Sequence, residues 1–460
     1  MAVPPEQTTT AIREEISPLP EVSNAYYLSM SLRNIRCFGE AQVLDLQSTP
    51  GTPARWTLIL GENGVGKTTL LQLLALGTVQ DVLPPRRDEA TRLHGSIPRF
   101  VRFVTDPMMR DPTVRTGQNI ARVSYSILWA DSLGVQENAL VDESAISKDE
   151  LSWRLQPYHQ HRRSILYGYG ANRRRAPRGL TAETSDDPTK TLFDDDATLR
   201  NPEEWLLQNE LVANTPSPLQ GKARWQRDRV LSILTRLLPG IDEIRVSPQT
   251  TANQQLRASV EVHSSDGWIP FSSLGLGYRA MTAWIVDLSS RMFERYASLE
   301  DPLSGPAVCL VDEIDLHLHP RWQRDLITRL STLFPQTQFI ATAHSPLIVQ
   351  AAPDANLVVL RRRDDGVAID NAPRSVRTWR IDQILTSELF DIPSARAPEL
   401  DTWIAERDAI LAKAHLTAQD EERLAELREK LGAMPQGDTP EDIEAMEVIR
   451  RAAKALKEGR

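Results

Sequence analysis

Gly61-Glu62-Asn63-Gly64-Val65-Gly66-Lys67-Thr68, followed by Thr69, fits the spacing G-x4-G-K-[ST]. Residue types in this order suit the binding of a phosphate chain. Glycines let successive backbone N–H groups curl around phosphate oxygens, and a helix start behind them adds positive potential. The Lys67 ammonium would reach the outer phosphates, and the Thr68 hydroxyl would ligate Mg²⁺. A glycine-rich turn without a nucleotide is the plain alternative, and the other motifs weigh against it.

Val308-Cys309-Leu310-Val311-Asp312-Glu313 is a short apolar run closed by two acids. In a parallel sheet such a run sets carboxylates at the C-terminal edge, where ligands of doubly wound folds bind. Asp312 would hold Mg²⁺ through water, and Glu313 would polarise the attacking water. A second run, Phe339-Ile340-Ala341-Thr342-Ala343, ends at His344. A neutral imidazole there would hydrogen-bond a γ-phosphate and report its loss. His317 and His319 stand two apart, a spacing that suggests a metal, but no third ligand accompanies them and they read as structural.

These side chains need a strand, a loop and a helix at the first motif and a parallel sheet at the other two. WTLIL at 56–60 is a strand ending at glycine, and KTTLLQLLAL at 67–76 has a helical pattern. Leu28, Met30 and Leu32 alternate with polar residues as a half-buried strand that VLDL at 43–46 would pair with. Strands at 307–311 and 338–343 around a helix at 322–334 give the βαβ rhythm of a parallel sheet, and residues 277–296 read as a helix. The expected class is α/β: a parallel-sheet phosphate-loop core, an antiparallel N-terminal β-subdomain, an α-helical insertion and a helical C-terminal extension.

The expected organisation is a flexible tail at 1–24, an N-terminal lobe at 25–80 and an α/β insertion at 81–270, in which Ile244 and Val246, then Ala258, Val260 and Val262, alternate as strands. Within the insertion, the stretch at 181–199, acidic and Thr-rich, reads as an exposed loop. A C-terminal lobe would span 271–395 and a helical extension 396–460. In the extension Thr417 with Asp420, and Thr439 with Asp442, mark helix starts, and Met446, Ile449, Ala453 and Leu456 share a face.

Composition bounds the functions. The chain has 460 residues with Lys+Arg 53 against Asp+Glu 62, a net charge of −9, which argues against a cation-coated binder of any nucleic acid. A local track remains open: Arg162, Arg163, Arg173, Arg174 and Arg175 interleave with Tyr158, Tyr167 and Tyr169. Salt bridging to the acidic loop is an equal alternative. No apolar run nears the roughly 18 residues of a membrane span, so the chain is expected not to cross a bilayer. Only Cys37 and Cys309 are present, which suits a reducing cytoplasm.

GENGVGKTTL, LVDEIDLHLHP and ATAHSPLI together resemble the ABC-type ATPases of the SMC, RecF and overcoming-lysogenisation-defect branch. YGYGANR, LGLGYRAMTAWIVDL and WRIDQILTSELF are similar to ATPase subunits of bacterial anti-phage systems, the Septu ATPases most of all, and YGYGANR leaves open that some of the clustered arginines serve the active site or the dimer instead. The resemblance implies an ABC-ATPase head that binds ATP and Mg²⁺ and dimerises, or forms a higher oligomer, around two nucleotides. Each nucleotide would lie between one protomer's phosphate loop and the other's signature segment. That segment is Ser272-Ser273-Leu274-Gly275-Leu276-Gly277-Tyr278-Arg279, in which Gly275 stands where serine is expected; either Ser273 would supply the hydroxyl instead, or only backbone N–H groups at the helix start would contact phosphate. Gly277 completes the match, Asp315 falls in the segment that communicates across the dimer, and Arg36 matches an N-terminal motif near the nucleotide.

The glutamine such ATPases use between loop and signature has no evident counterpart. The expected function is an ATPase of an anti-phage complex that controls a separate effector nuclease, of HNH type by the resemblance. A RecF-like ATPase acting directly on DNA is the alternative. The ATPase subunit of a transporter ranks lower, because the stretch between Lys67 and Gly275 is longer than coupling to membrane helices requires.

Overall fold

The structure, a computed structural model, describes residues 24–76, 121–130, 136–146, 166–176, 187–250, 256–364, 366–373, 376, 378–390, 392, 394–413 and 416–431. Strands β1 (Asn24–Arg33) and β2 (Gln42–Asp45) pair antiparallel with Ser29 opposite Asp45, as the alternation predicts. β3 (Trp56–Gly61) leads to helix α1 (Lys67–Leu76), the strand and helix expected around the phosphate loop. β4 (Ala121–Ala130) and β5 (Gln136–Ile146) extend the first sheet in the order β2-β1-β4-β5.

The central sheet takes in β6 (Leu166–Tyr169), β10 (Ala307–Val311), β11 (Thr337–Thr342), β12 (Asn356–Arg363) and β13 (Gly366–Asp370). Its order is β13-β12-β3-β11-β10-β6, parallel throughout except for β13. The phosphate-loop strand and the acid-bearing strand are thus separated by the strand that leads to His344. Between β6 and β10 lie helices α2 (Pro202–Asn214) and α3 (Gln220–Leu237), the meander of β7 (Glu243–Thr250), β8 (Leu256–Ser264) and β9 (Gly267–Pro270), and helix α4 (Leu276–Arg295). After β10 come α5 (Pro320–Leu333), α6 (Pro346–Ala351), α7 (Ile381–Leu385), α8 (Pro398–Leu411) and α9 (Ala418–Leu431).

The strands read as continuous apolar runs because both faces of the sheet are covered. In β3, Trp56, Leu58 and Leu60 join one core with Trp284, Leu288 and Leu326, while Ile59 joins a second with Leu70, Leu71, Met30 and Leu32. α4 and α5 therefore cover one face, and α1 with the N-terminal sheet covers the other. Trp56 lies opposite Phe339 across the β3–β11 pair, and their rings stack at 4.3 Å. Each fully buried side chain of this size contributes roughly 1.5–3 kcal/mol.

Two expectations change. Residues 81–270 are not one excursion from the core: β4 pairs with β1, and β6 is the edge of the central sheet beside β10. A four-residue strand flanked by glycine is too short to show a period, which is why LYGY escapes sequence reading. The meander β7-β8-β9, with strands at the expected Ile244, Val246, Ala258, Val260 and Val262, makes the later part of that stretch α/β rather than purely helical.

The described part of the expected acidic loop is packed rather than free. Leu192 and Leu199 are buried, the Gly168 N–H donates to the Pro188 carbonyl, and only Asp194, Asp195 and Asp196 form an exposed acidic tip. The tail at 1–23 and the expected helix starts at Thr439 and Asp442, with Met446, Ile449, Ala453 and Leu456, lie outside the described residues.

The helix start at Thr417 takes the expected form. Thr417 Oγ1 accepts from the Asp420 N–H at 3.2 Å, and Asp420 Oδ2 accepts from the Thr417 N–H at 3.0 Å. The Lys413 ammonium and these Thr417 bonds hold the Asp420 carboxyl down to about 2. The ionised form therefore stabilises the hairpin fully above the ordinary Asp value near 4, and that stability is lost as pH falls toward about 2. Helicity of the wild-type chain between pH 5 and 2 should show a loss that Asp420→Asn lacks.

Candidate active site

The loop at 61–66 is tied down from beneath. Val65 is buried against the core of the N-terminal sheet, and Cys37 Sγ donates to its carbonyl at 3.6 Å. Gly66 has φ +92°, and a Cβ there would lie 2.5 Å from Cys37 Sγ, so only glycine lets the chain turn into α1 above Cys37 and Phe38. Glu62, Asn63 and Gly64 form the exposed crest. Lys67 is buried, and its ammonium donates to the Gly61 and Glu62 carbonyls at 2.8 and 2.7 Å. Burial pushes the Lys67 pKa down, against the opposing pull of Asp312, Glu313, Asp315 and Glu62.

Asp312 and Glu313 follow β10 directly. Asp312 is buried; its Oδ2 accepts from the Thr68 hydroxyl at 2.7 Å and its Oδ1 from the Thr342 hydroxyl at 2.6 Å. Thr342 Oγ1 in turn accepts from the Glu313 N–H at 2.7 Å. Glu313 is half-buried with φ +48°, a left-handed turn that a non-glycine residue adopts only under constraint. Arg173 supplies part of that constraint. Buried at the end of β6, it donates through Nη2 to the Asp312 carbonyl and, at 2.7 Å, to the Glu313 carbonyl.

The donor set fits Mg²⁺ and a polyphosphate. A hydroxyl and a carboxylate oxygen in contact are hard ligands of the kind Mg²⁺ takes, and the adjoining loop presents an ammonium and backbone N–H groups at a helix start.

The remaining expected residues sort by position. His344 is exposed at the end of β11, its N–H donating to Asp315 Oδ2 at 2.9 Å. Asp315 Oδ1 is buried without a partner. Gly275 is the N-cap of α4 and is exposed, as is Ser273 in the preceding turn. A Cβ on Gly277 would meet the His317 carbonyl oxygen at 2.3 Å, so this glycine lets α4 approach the turn behind the acids. His319 caps α5, Nδ1 accepting from the Arg321 N–H at 3.2 Å, in line with a structural role. Arg36 is turned toward α1, where Nη1 bonds Thr69 Oγ1 and Gln72 Oε1 at 3.0 and 2.9 Å.

The expected basic track divides. Arg162 and Arg163 lie outside the described residues. Arg174 pairs with Asp196 of the acidic loop at 2.9 Å, as the salt-bridge alternative expects, whereas Arg175 pairs with Glu203 on α2 at 3.2 Å. Arg173 faces the acids' backbone and offers nothing to a passing polyanion. Sequence reasoning missed Thr342, whose partner Asp312 lies at the end of the neighbouring strand.

A Cβ on Gly275 would meet nothing within 4 Å, and φ is −59°. Gly275→Ser should therefore change stability by no more than about 0.5 kcal/mol, since serine is a good N-cap. A change in ATP turnover would then test the expectation that this segment is the signature. A higher rate in a steady-state assay would identify Gly275 as a brake.

The model of the family described as "AAA domain, putative AbiEii toxin, Type IV TA system" matches residues 57–350, from β3 through α6. The chain belongs to this AAA-domain family. It is similar to Septu protein PtuA of Bacillus mycoides (strain KBAB4), 23% identical over 410 residues, covering 88% of this chain and 49% of that protein. It is also similar to the Retron Vc95 probable ATPase of Vibrio cholerae serotype O1 biovar El Tor, 33% identical over 124 residues, covering 27% of this chain and 23% of that one. The chain thus spans about half of the first relative and under a quarter of the second. An Smc head bound to the C-winged helix domain of ScpA aligns at 14% identity over 75% of this chain and 97% of that one, with TM-score 0.39. Among the described residues of this AAA-domain protein, no helix is long and apolar enough to cross a membrane.

Proposed function

We propose that this AAA-domain protein binds and hydrolyses ATP with Mg²⁺, and that it serves an anti-phage defence complex in which paired heads control a separate effector nuclease. The observation that carries the hydrolytic reading is the Asp312 carboxylate, bonded to the Thr68 hydroxyl of the loop helix and to the Thr342 hydroxyl of the strand leading to His344. One acid thereby joins the three motifs.

The residues divide the work. Gly61, Glu62, Asn63, Gly64, Val65 and Gly66 cradle the phosphates, Lys67 neutralises them, and Thr68 with Asp312 holds Mg²⁺, while Thr69 anchors the helix through Arg36. Mg²⁺ supplies charge neutralisation of the phosphate oxygens. Glu313 takes a proton from the attacking water, and His344 contacts the outermost phosphate. Ser273, Gly275 and Gly277 face the partner head's nucleotide.

The defence role is supported by the similarity to Septu protein PtuA and to a retron probable ATPase, and the effector and head pairing are what the resemblance of the sequence motifs implies. The charge of −9 and the paired Arg174 and Arg175 favour a protein partner over nucleic acid. Affinity purification of the full chain with the product of its neighbouring gene tests this: a stable complex whose nuclease activity responds to ATP is expected. A chain that stays monomeric with ATP and captures no nuclease overturns the defence reading and leaves the ATPase reading to its own assay.

A further inference from the structure

The buried guanidinium of Arg173 has no place in the hydrolytic set above. It follows β6, the edge strand beside the acid-bearing β10, and the Tyr169 carbonyl there accepts from the Asp312 N–H at 2.8 Å. β6 itself has little freedom. A Cβ on Gly170 would lie 2.0 Å from the Thr191 carbonyl oxygen, and the Tyr169 hydroxyl donates to Asp287 Oδ2 on α4 at 3.1 Å. Arg173 has φ +36°, a conformation that non-glycine residues keep only where the surroundings over-determine it.

From this anchored position Nη2 reaches two consecutive carbonyls, those of Asp312 and Glu313, while Nε is buried without a partner. Burying a cation costs free energy unless charges repay it. The Arg173 pKa accordingly falls to about 10, with Asp312, Asp315 and Glu313 pulling against the burial. A side chain meant only to fill space needs no charge here. One that holds a left-handed acid turn does, because the two carbonyls share the guanidinium as a donor.

We propose that Arg173 is the positioning residue of the hydrolytic turn, fixing the backbone of Asp312 and Glu313 so that the metal ligand and the general base keep their relative place. The proposal rests on the reading of Glu313 as the base. Loss of the tether lets the base move, and misplacement by about 1 Å costs up to about 10²-fold in rate. Binding is affected less, because the phosphate loop and Lys67 stand on other elements.

The test compares Arg173→Gln and Arg173→Lys in the full chain, measuring kcat and KM for ATP, affinity for a non-hydrolysable ATP analogue, and thermal unfolding. Expected for Arg173→Gln is a kcat lower by at least about tenfold with analogue affinity within about threefold. Arg173→Lys, which keeps a charged donor, should regain most of the loss. Wild-type kcat in a folded Arg173→Gln overturns the proposal, as does a loss in kcat matched by an equal loss of analogue affinity. Should Arg173→Gln fail to fold, Arg173→Lys decides alone: a residual fall of a few-fold in kcat with analogue affinity unchanged supports positioning, and wild-type kcat, or an affinity loss as large as the kcat loss, refutes it. Glu313→Gln, run in parallel, separates the two readings: normal turnover there removes the base, and normal turnover in Arg173→Gln alone removes only the tether.

Discussion

Glu313→Gln is expected to lower ATP turnover by about 10²- to 10⁴-fold, the range that a positioned general base contributes. The substitution is conservative where it matters for folding. The Glu313 N–H is bonded to Thr342 Oγ1, and its carbonyl accepts from Arg173, so the turn is held by main-chain contacts that glutamine preserves. What disappears is the charge and the capacity to accept a proton. A carboxylate repels the phosphates that it works on, and two unit charges at about 4 Å in a medium of effective dielectric about 20 interact by about 4 kcal/mol. ATP should therefore bind Glu313→Gln at least as tightly as it binds the wild type. If the heads pair around nucleotide, the variant should accumulate as the ATP-bound pair, visible as a doubled mass in sedimentation. Asp312→Asn supplies the contrast. It loses a metal ligand, so its deficit should shrink as Mg²⁺ is raised, whereas the Glu313→Gln deficit should not. Wild-type turnover in Glu313→Gln would remove Glu313 from the chemistry.

The parts of this site that sequence revealed are those whose chemistry is local. A phosphate loop needs its glycines, lysine and threonine within one turn of chain, and an acid at a strand end needs only the apolar run before it. Both are visible without knowledge of the neighbours. Thr342 and Arg173 were not, because their roles exist only across the sheet: Thr342 meets Asp312 because β11 lies beside β10, and Arg173 meets both acids because β6 lies on the far side. The order of parallel strands cannot be read from the periodicity of any one of them.

The same distinction explains Arg173 beside Arg174 and Arg175. Clustered arginines look alike on paper, and what separates an ion-paired arginine from a buried tether is whether a carboxylate or a carbonyl stands opposite. It also explains Gly277. Its need for no side chain comes from the His317 carbonyl, a residue far along the chain that packs against α4.

Lys67→Ala is expected to abolish measurable ATP binding, and the structure says why the loss should be specific. Lys67 is the first residue of α1, where alanine is the best helix former, so the helix itself loses nothing. The ammonium sits among Asp312, Glu313, Asp315 and Glu62, which pull its pKa upward against the effect of burial. Removing it leaves a concentration of negative charge beside the site where a polyphosphate must bind. The loss is therefore double: charge-assisted hydrogen bonds worth about 1.5–3 kcal/mol each, and the screening of nearby acids. At about 1.4 kcal/mol per tenfold, two such bonds alone correspond to about 10²- to 10⁴-fold in affinity. Thermal unfolding without nucleotide should change little, since the carbonyls of Gly61 and Glu62 that the ammonium caps lie at a loop open to water. ATP should raise the melting temperature of the wild type and leave that of Lys67→Ala unchanged. Calorimetric titration and a thermal-shift series with ATP and Mg²⁺ measure both; a wild-type shift in Lys67→Ala would mean that the nucleotide binds elsewhere than the loop at 61–68.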